Sequence, residues 1–244
     1  MILYKYYSFN SGKSALESER VGFRTPTHFN DPFEASVIEG KSFTKERIQK
    51  TLNNVAILSL TRNPLNSLMW AHYGHEHKGF VIGYEVEDSF FKCKESNLIP
   101  VHKGNVIYTK TKPFLKTSTR TTTTLCNAID GIYDDEDHQT KELIDHLFLN
   151  KDTIWSYEEE VRIVKRVNSL IMETCEYWEN PYNRYSIPSK EIKSCCSQEI
   201  IPGCSQEIIS GLKIYDHQVK IKEVYLGARN SYLQDRGGPT CLNN

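Results

Sequence analysis

An α+β fold with a mixed or largely antiparallel sheet core and peripheral helices is what this sequence predicts, and three observations carry that expectation. About seven runs are rich in β-branched and aromatic residues, the composition of strands. Helical patterns fall between them at irregular intervals, without the regular βαβ alternation that builds a doubly wound parallel sheet. The 244 residues are enough to bury one sizeable core, so the chain reads as a single domain over 1–244.

The elements follow in order. Leu3 to Phe9 is aromatic and β-prone and reads as a first strand, with a short helix over Lys13 to Arg20. Val21 to Arg24 reads as a second strand, stopped by Thr25-Pro26. In Phe29-Asn30-Asp31-Pro32-Phe33-Glu34, Asp31 suits an N-cap, Pro32 the first helical position and Glu34 the carboxylate of a capping box. A helix start therefore accounts for that motif without any function. Val55 to Thr61 is apolar enough for a buried strand. Asn63-Pro64 then caps a helix through Leu65, Leu68, Met69, Trp70, His72 and Tyr73, whose apolar residues recur at three and four. Gly79 to Val86 and Asn105 to Thr109 are further strands. Between about 110 and 138 a basic Thr-rich tract gives way to an acidic one, the composition of an exposed, flexible loop. Lys141 to Asn150 is an amphipathic helix. Tyr185 to Pro188 should be extended, residues 196–211 hold a local duplication, and Ile221 to Gly227 is a last strand.

Composition narrows the function classes. A formal net charge of -1 gives no general pull toward nucleic acid or anionic membranes. No apolar run approaches the ~20 residues of a membrane span, and Met1 to Tyr7 lacks the features of a signal peptide. The 7 cysteines are scattered, odd in number and without a C-x-x-C pair, which argues against a disulfide framework or a structural zinc site. A cytoplasmic, reducing setting is expected, and no metal. His72, His75 and His77 straddle a helix end in a spacing that matches no familiar metal site.

The most informative stretch runs from Trp155 to Lys165. If it is a strand, Trp155, Tyr157, Val161 and Ile163 share one face, and Glu158, Glu160 and Arg162 line the other. Two readings stay open at this point: a solvent-facing Glu/Arg ladder, or a buried acidic site that is paired and used. In the second, the two carboxylates divide labour and Arg162 keeps at least one ionised. The chain has no Walker loop, G-x-G-x-x-G, G-x-S-x-G or H-E-x-x-H. A divalent-metal nuclease built on Asp145 or Glu158 with Glu160 and Lys165 remains an alternative.

Several blocks together resemble a known family. They are Leu3-Tyr4-Lys5-Tyr6, Phe29-Asn30-Asp31-Pro32-Phe33-Glu34, Leu58-Ser59-Leu60-Thr61 and Met69-Trp70-Ala71-His72-Tyr73 with Gly79 and Phe80. Lys151 to Trp155, Tyr157-Glu158-Glu159-Glu160, Arg162 and Leu226-Gly227 complete the set. In this order they resemble the bacterial domain-of-unknown-function 2971 family, whose name implies no activity. The order also resembles the ADP-ribosyltransferase superfamily, although Tyr4 and Lys5 stand where Arg or His is usual. That second resemblance implies a cytoplasmic enzyme with NAD as substrate and a protein or nucleic acid as acceptor, in a toxin or phage-defence setting. It implies Glu160 as the catalytic residue, with Glu158 and Arg162 beside it. Tyr4 or Lys5 would lie near the nicotinamide ribose, Ser59 and Thr61 would shape the pocket, and Trp70 or Tyr73 would stack on the nicotinamide. A non-catalytic nucleotide-sensing domain is the other alternative.

Overall fold

The computed structural model describes residues 1–29, 31, 34, 42–94, 96–111, 119–131, 138–167, 211–215 and 217–234. The chain opens with strand β1 (Ile2–Tyr7), helix α1 (Phe9–Ser18) and strand β2 (Gly22–Arg24). Next come α2 (Ser42–Leu52), β3 (Val55–Thr61), α3 (Ser67–His72), β4 (Phe80–Glu85), α4 (Ser89–Lys92), β5 (Asn97–Ile99) and β6 (Ile107–Thr109). Helices α5 (Thr119–Ile129) and α6 (His138–Leu149) precede β7 (Asn150–Asp152), a 3-10 turn over Thr153–Glu158 and β8 (Glu160–Arg166). Strands β9 (Leu212–Ile214) and β10 (Ile221–Leu226) and helix α7 (Ser231–Gln234) complete the described strands and α-helices.

The main sheet runs β10-β4-β1-β3-β2-β9, with β8 joined to β3 and β5 to β8. Its pairings are antiparallel, and β6 and β7 form a separate parallel pair. This is the mixed α/β architecture with a mainly antiparallel sheet that the sequence predicts. β3 is its spine. One edge of β3 pairs with β8 along its whole length, from Val55 opposite Arg166 to Thr61 opposite Glu160. The other edge is shared: β2 meets it at Ile57 through Arg24, and β1 meets it at Thr61 through Tyr4. Between those two points β1 and β2 diverge, so the sheet is split beside Leu58, Ser59 and Leu60.

Both faces of the sheet are covered, which is why β3 reads as a continuous apolar run. On one face Leu58, Leu60, Val161 and Ile163 pack with Leu3, Phe23, Ile82 and Phe91. On the other, Val55, Ile57 and Val164 pack with α2, α5 and α6 through Ile48, Leu125, Ile144 and Phe148.

Four expectations change. The Thr-rich stretch expected as part of a flexible loop contains α5, because Thr122, Leu125, Cys126 and Ile129 form a buried stripe at helical spacing. Residues 112–118 and 132–137 of that expected loop lie outside the described residues. The helix expected after Asn63-Pro64 begins later, at Ser67, where the Asn66 side chain accepts from the Leu68 and Met69 amides. The strand expected from Trp155 begins only at Glu160, after a 3-10 turn and Glu159 with φ 45°. Cys126 is a buried free thiol but Cys93 is disulfide-bonded, which corrects the expectation of reduced thiols throughout. The helix start at Pro32, the extended 185–188 segment and the duplication up to residue 210 also lie outside the described residues. Among the described residues no helix is long and apolar enough to cross a membrane.

Candidate active site

Strand register places the central acid. Glu160 stands opposite Thr61, and Thr61 opposite Tyr4, so three adjacent strands contribute one transverse row. Directly opposed residues in a sheet share a face. Two positions along β8, Arg162 stands opposite Ser59 on that same face. Glu158 arrives by another route. It ends the 3-10 turn, the left-handed Glu159 reverses the chain, and the Thr61 hydroxyl pins the Glu158 carbonyl at 2.5 Å. The simple strand alternation therefore fails at Glu158, yet the three charged side chains still converge.

Two residues that the sequence reading did not place at the site, Lys151 and Glu34, complete the cluster. Lys151 of β7 donates to Glu158 Oε2 at 2.5 Å and Glu160 Oε2 at 2.9 Å, and lies 3.2 Å from Glu34 Oε1. Arg162 donates through Nε to Glu160 Oε1 at 2.8 Å, and through Nη2 to Glu160 Oε2 at 3.0 Å and Glu34 Oε2 at 2.6 Å. Its Nη1 takes the Phe148 carbonyl at 2.7 Å. All five side chains are buried. Such a cluster persists only when each charge is answered.

The electrostatics follow from that packing. Burial pushes the Glu160 carboxyl up, but the Arg162 guanidinium and the Lys151 ammonium outweigh it and hold Glu160 well below the usual carboxylate range. Burial alone would push Lys151 and Arg162 down; Glu160 and Glu34 reverse this for both, with Glu158 adding to the effect on Lys151. Glu158 behaves differently. Burial raises it, with Lys151 opposing, and its Oε1 accepts a hydrogen bond from the Tyr73 hydroxyl at 2.7 Å. Burial and the Glu158 charge in turn push the Tyr73 phenol up.

The acids form one wall of a cavity of about 270 Å³ that Tyr4 and Lys5 of β1 and Arg24 of β2 also line. Of the residues expected at a site, Tyr4, Lys5, Ser59, Thr61, Tyr73, Glu158 and Glu160 line it. Lys5 reaches across the split to the Ser59 carbonyl at 3.3 Å, and burial pushes its ammonium down to about 8. The Tyr4 hydroxyl donates to Glu223 Oε2 at 3.0 Å, and burial with that partner raises it to about 12. Arg162 and Trp70 are not on the wall. Arg162 lies behind Glu160, with 1% of its surface exposed. Trp70 packs edge-on against Tyr6, stacks on His77 and donates to the Pro64 carbonyl at 3.1 Å. The reason is helical geometry: α3 turns Met69 and the following Tyr73 to the cavity, which sends the intervening Trp70 into an aromatic core.

The sequence reading missed Glu34, Lys151, Arg24 and Phe29, all on the cavity wall. Glu34 was absorbed by the capping-box explanation. Lys151 carries the one usable signal, since it directly follows a strongly amphipathic helix and precedes the Glu158-Glu159-Glu160 run. The nuclease set does not assemble. Lys165 points to the opposite face of β8, against Phe90, Phe23 and Tyr215. Among the described residues no group of three His, Cys, Asp or Glu side chains is arranged to hold a metal ion.

Residues 69–163 match the model of the family described as Protein of unknown function (DUF2971). No curated protein and no solved structure gives a significant match. The matched stretch runs from α3 to β8 and carries Tyr73, Lys151, Glu158, Glu160 and Arg162, so the family resemblance holds over the segment that supplies most of the acidic wall.

Proposed function

We propose that the cavity cleaves NAD at the nicotinamide–ribose bond and passes ADP-ribose to a protein or nucleic-acid acceptor, as an ADP-ribosyltransferase does. The observation that carries this reading is the transverse row Tyr4–Thr61–Glu160, on three adjacent strands and at the wall of one cavity that Ser59 and Tyr73 also line. In the reaction the C–N bond to nicotinamide breaks, nicotinamide leaves with the electron pair, and positive charge develops on the ribose. Glu160 is ionised at any working pH and faces the space where that charge forms. Glu34 and Glu158 share with it the two cations Lys151 and Arg162. Stabilisation present only in the transition state accelerates the chemical step, and losing one such group costs ~3 kcal/mol, about a hundredfold in rate. At about 270 Å³ the cavity falls just under the size that encloses a drug-like ligand, which suits the nicotinamide riboside half of NAD.

The metal-nuclease reading is weaker because the Lys151 ammonium stands where a divalent ion would among Glu34, Glu158 and Glu160. A second reading is a binding module without turnover, favoured by the complete engagement of both Glu160 oxygens by Lys151 and Arg162. Chromatographic measurement of nicotinamide released from NAD separates the two. Turnover supports the enzyme, whereas a ligand-dependent rise in melting temperature without release supports the module.

A further inference from the structure

The cavity has a basic side as well as an acidic one. Arg24 ends β2 at the point where that strand leaves β3, and its side chain lines the cavity. Its Nε is shut off from solvent and bonds to nothing. Three acids of the same wall, Glu34, Glu158 and Glu160, are held by Lys151 and Arg162. Lys5 enters from the other side of the split, and its ammonium has the Ser59 carbonyl as its hydrogen-bond partner. Glu160 attracts the Lys5 ammonium and Arg24 repels it across this gap. Two half-buried cations side by side, one with a solvent-inaccessible Nε that makes no hydrogen bond, form an arrangement that an anion completes.

We propose that Arg24 and Lys5 form a subsite for a phosphate group, so that the cavity selects phosphorylated nucleotides over nucleosides. The guanidinium supplies a planar fork for two phosphate oxygens, and the ammonium supplies a compact charge for a third contact. The preference for a nucleotide rests on the NAD reading, whereas the anion subsite stands without it.

The test uses the full chain and three probes: adenosine monophosphate, adenosine and inorganic pyrophosphate, with binding measured by calorimetry. The monophosphate should bind at least tenfold more tightly than adenosine, and pyrophosphate should bind alone. Arg24→Gln should lose at least tenfold in affinity for both phosphate probes, and Arg24→Lys should recover part of it. Equal binding of adenosine and its monophosphate by the wild type overturns the subsite, whatever the variants do. So does unchanged phosphate binding in a folded Arg24→Gln protein, or no binding of either phosphate probe. NAD cleavage with no phosphate preference sinks the subsite and leaves the enzyme reading. Phosphate binding through Arg24 with NAD untouched does the reverse.

Discussion

Arg162 grips Glu160 with two nitrogens, Nε to Oε1 at 2.8 Å and Nη2 to Oε2 at 3.0 Å, from two residues farther along the same strand. Its Nη2 also holds Glu34 at 2.6 Å, so one guanidinium ties the segment before α2 to β8. Removing one partner of a buried ion pair strands the others without compensation. Arg162→Leu should therefore destabilise the fold by about 3–5 kcal/mol in urea unfolding. A loss under about 1 kcal/mol would show that Glu34 and Glu160 find water or other partners.

Glu160 makes a signed pH prediction. Its folded carboxyl sits below its unfolded value, so its contribution is complete above the unfolded pKa of 4.5 and is lost as pH falls toward the lower folded value. The wild type should lose more stability than Glu160→Gln between about pH 4.5 and 2. At neutral pH the variant should melt lower, because Gln presents an amide hydrogen to Lys151 or Arg162. Parallel acid-denaturation curves for the two proteins would contradict this.

Lys165 gives the opposite sign. It lies 3.9 Å from the centre of the Phe90 ring and donates to the Phe90 carbonyl at 2.6 Å, and burial pushes it from 10.5 down to about 7. Between those values the unfolded chain holds a proton that the folded chain has released, so stability rises with pH across that window. Lys165→Met removes the penalty. The variant should exceed the wild type in stability at about pH 6, with a ceiling of about 5 kcal/mol at ~1.4 kcal/mol per unit, and the gap should close toward pH 10. A variant less stable at every pH would mean that the aromatic cage favours the ammonium.

Lys5 faces Glu160, Arg24 and the Tyr7 ring, and with its ammonium down to about 8 it controls phosphate binding near neutrality. Affinity for adenosine monophosphate should fall as pH rises through about 8, severalfold by pH 9. Lys5→Arg, charged throughout, should flatten that profile. Identical profiles would place the phosphate away from Lys5.

How much of this was legible in the sequence depended on where the physics was local. β3 was readable over its full span because a strand buried on both faces is apolar at every position. Glu160 and Arg162 were readable because strand periodicity alone sets their common face. Glu34 was hidden because one carboxylate satisfied a local capping rule while its partners lie 117 and 128 residues away. Which of Trp70 and Tyr73 faces the cavity was not legible, because a six-residue helix shows two faces to two surroundings and composition does not say which is which. α5 was hidden by its threonines. Leu125→Ala should cost about 2–5 kcal/mol, as for a buried leucine and unlike a loop residue.

The central claim is tested most directly by quantifying free nicotinamide after incubation of the full chain with NAD. Wild type should release it above the uncatalysed background, and Glu160→Gln, once its circular dichroism confirms a folded protein, should fall about a hundredfold or more. No release by the wild type, or full release by the folded variant, would contradict the account.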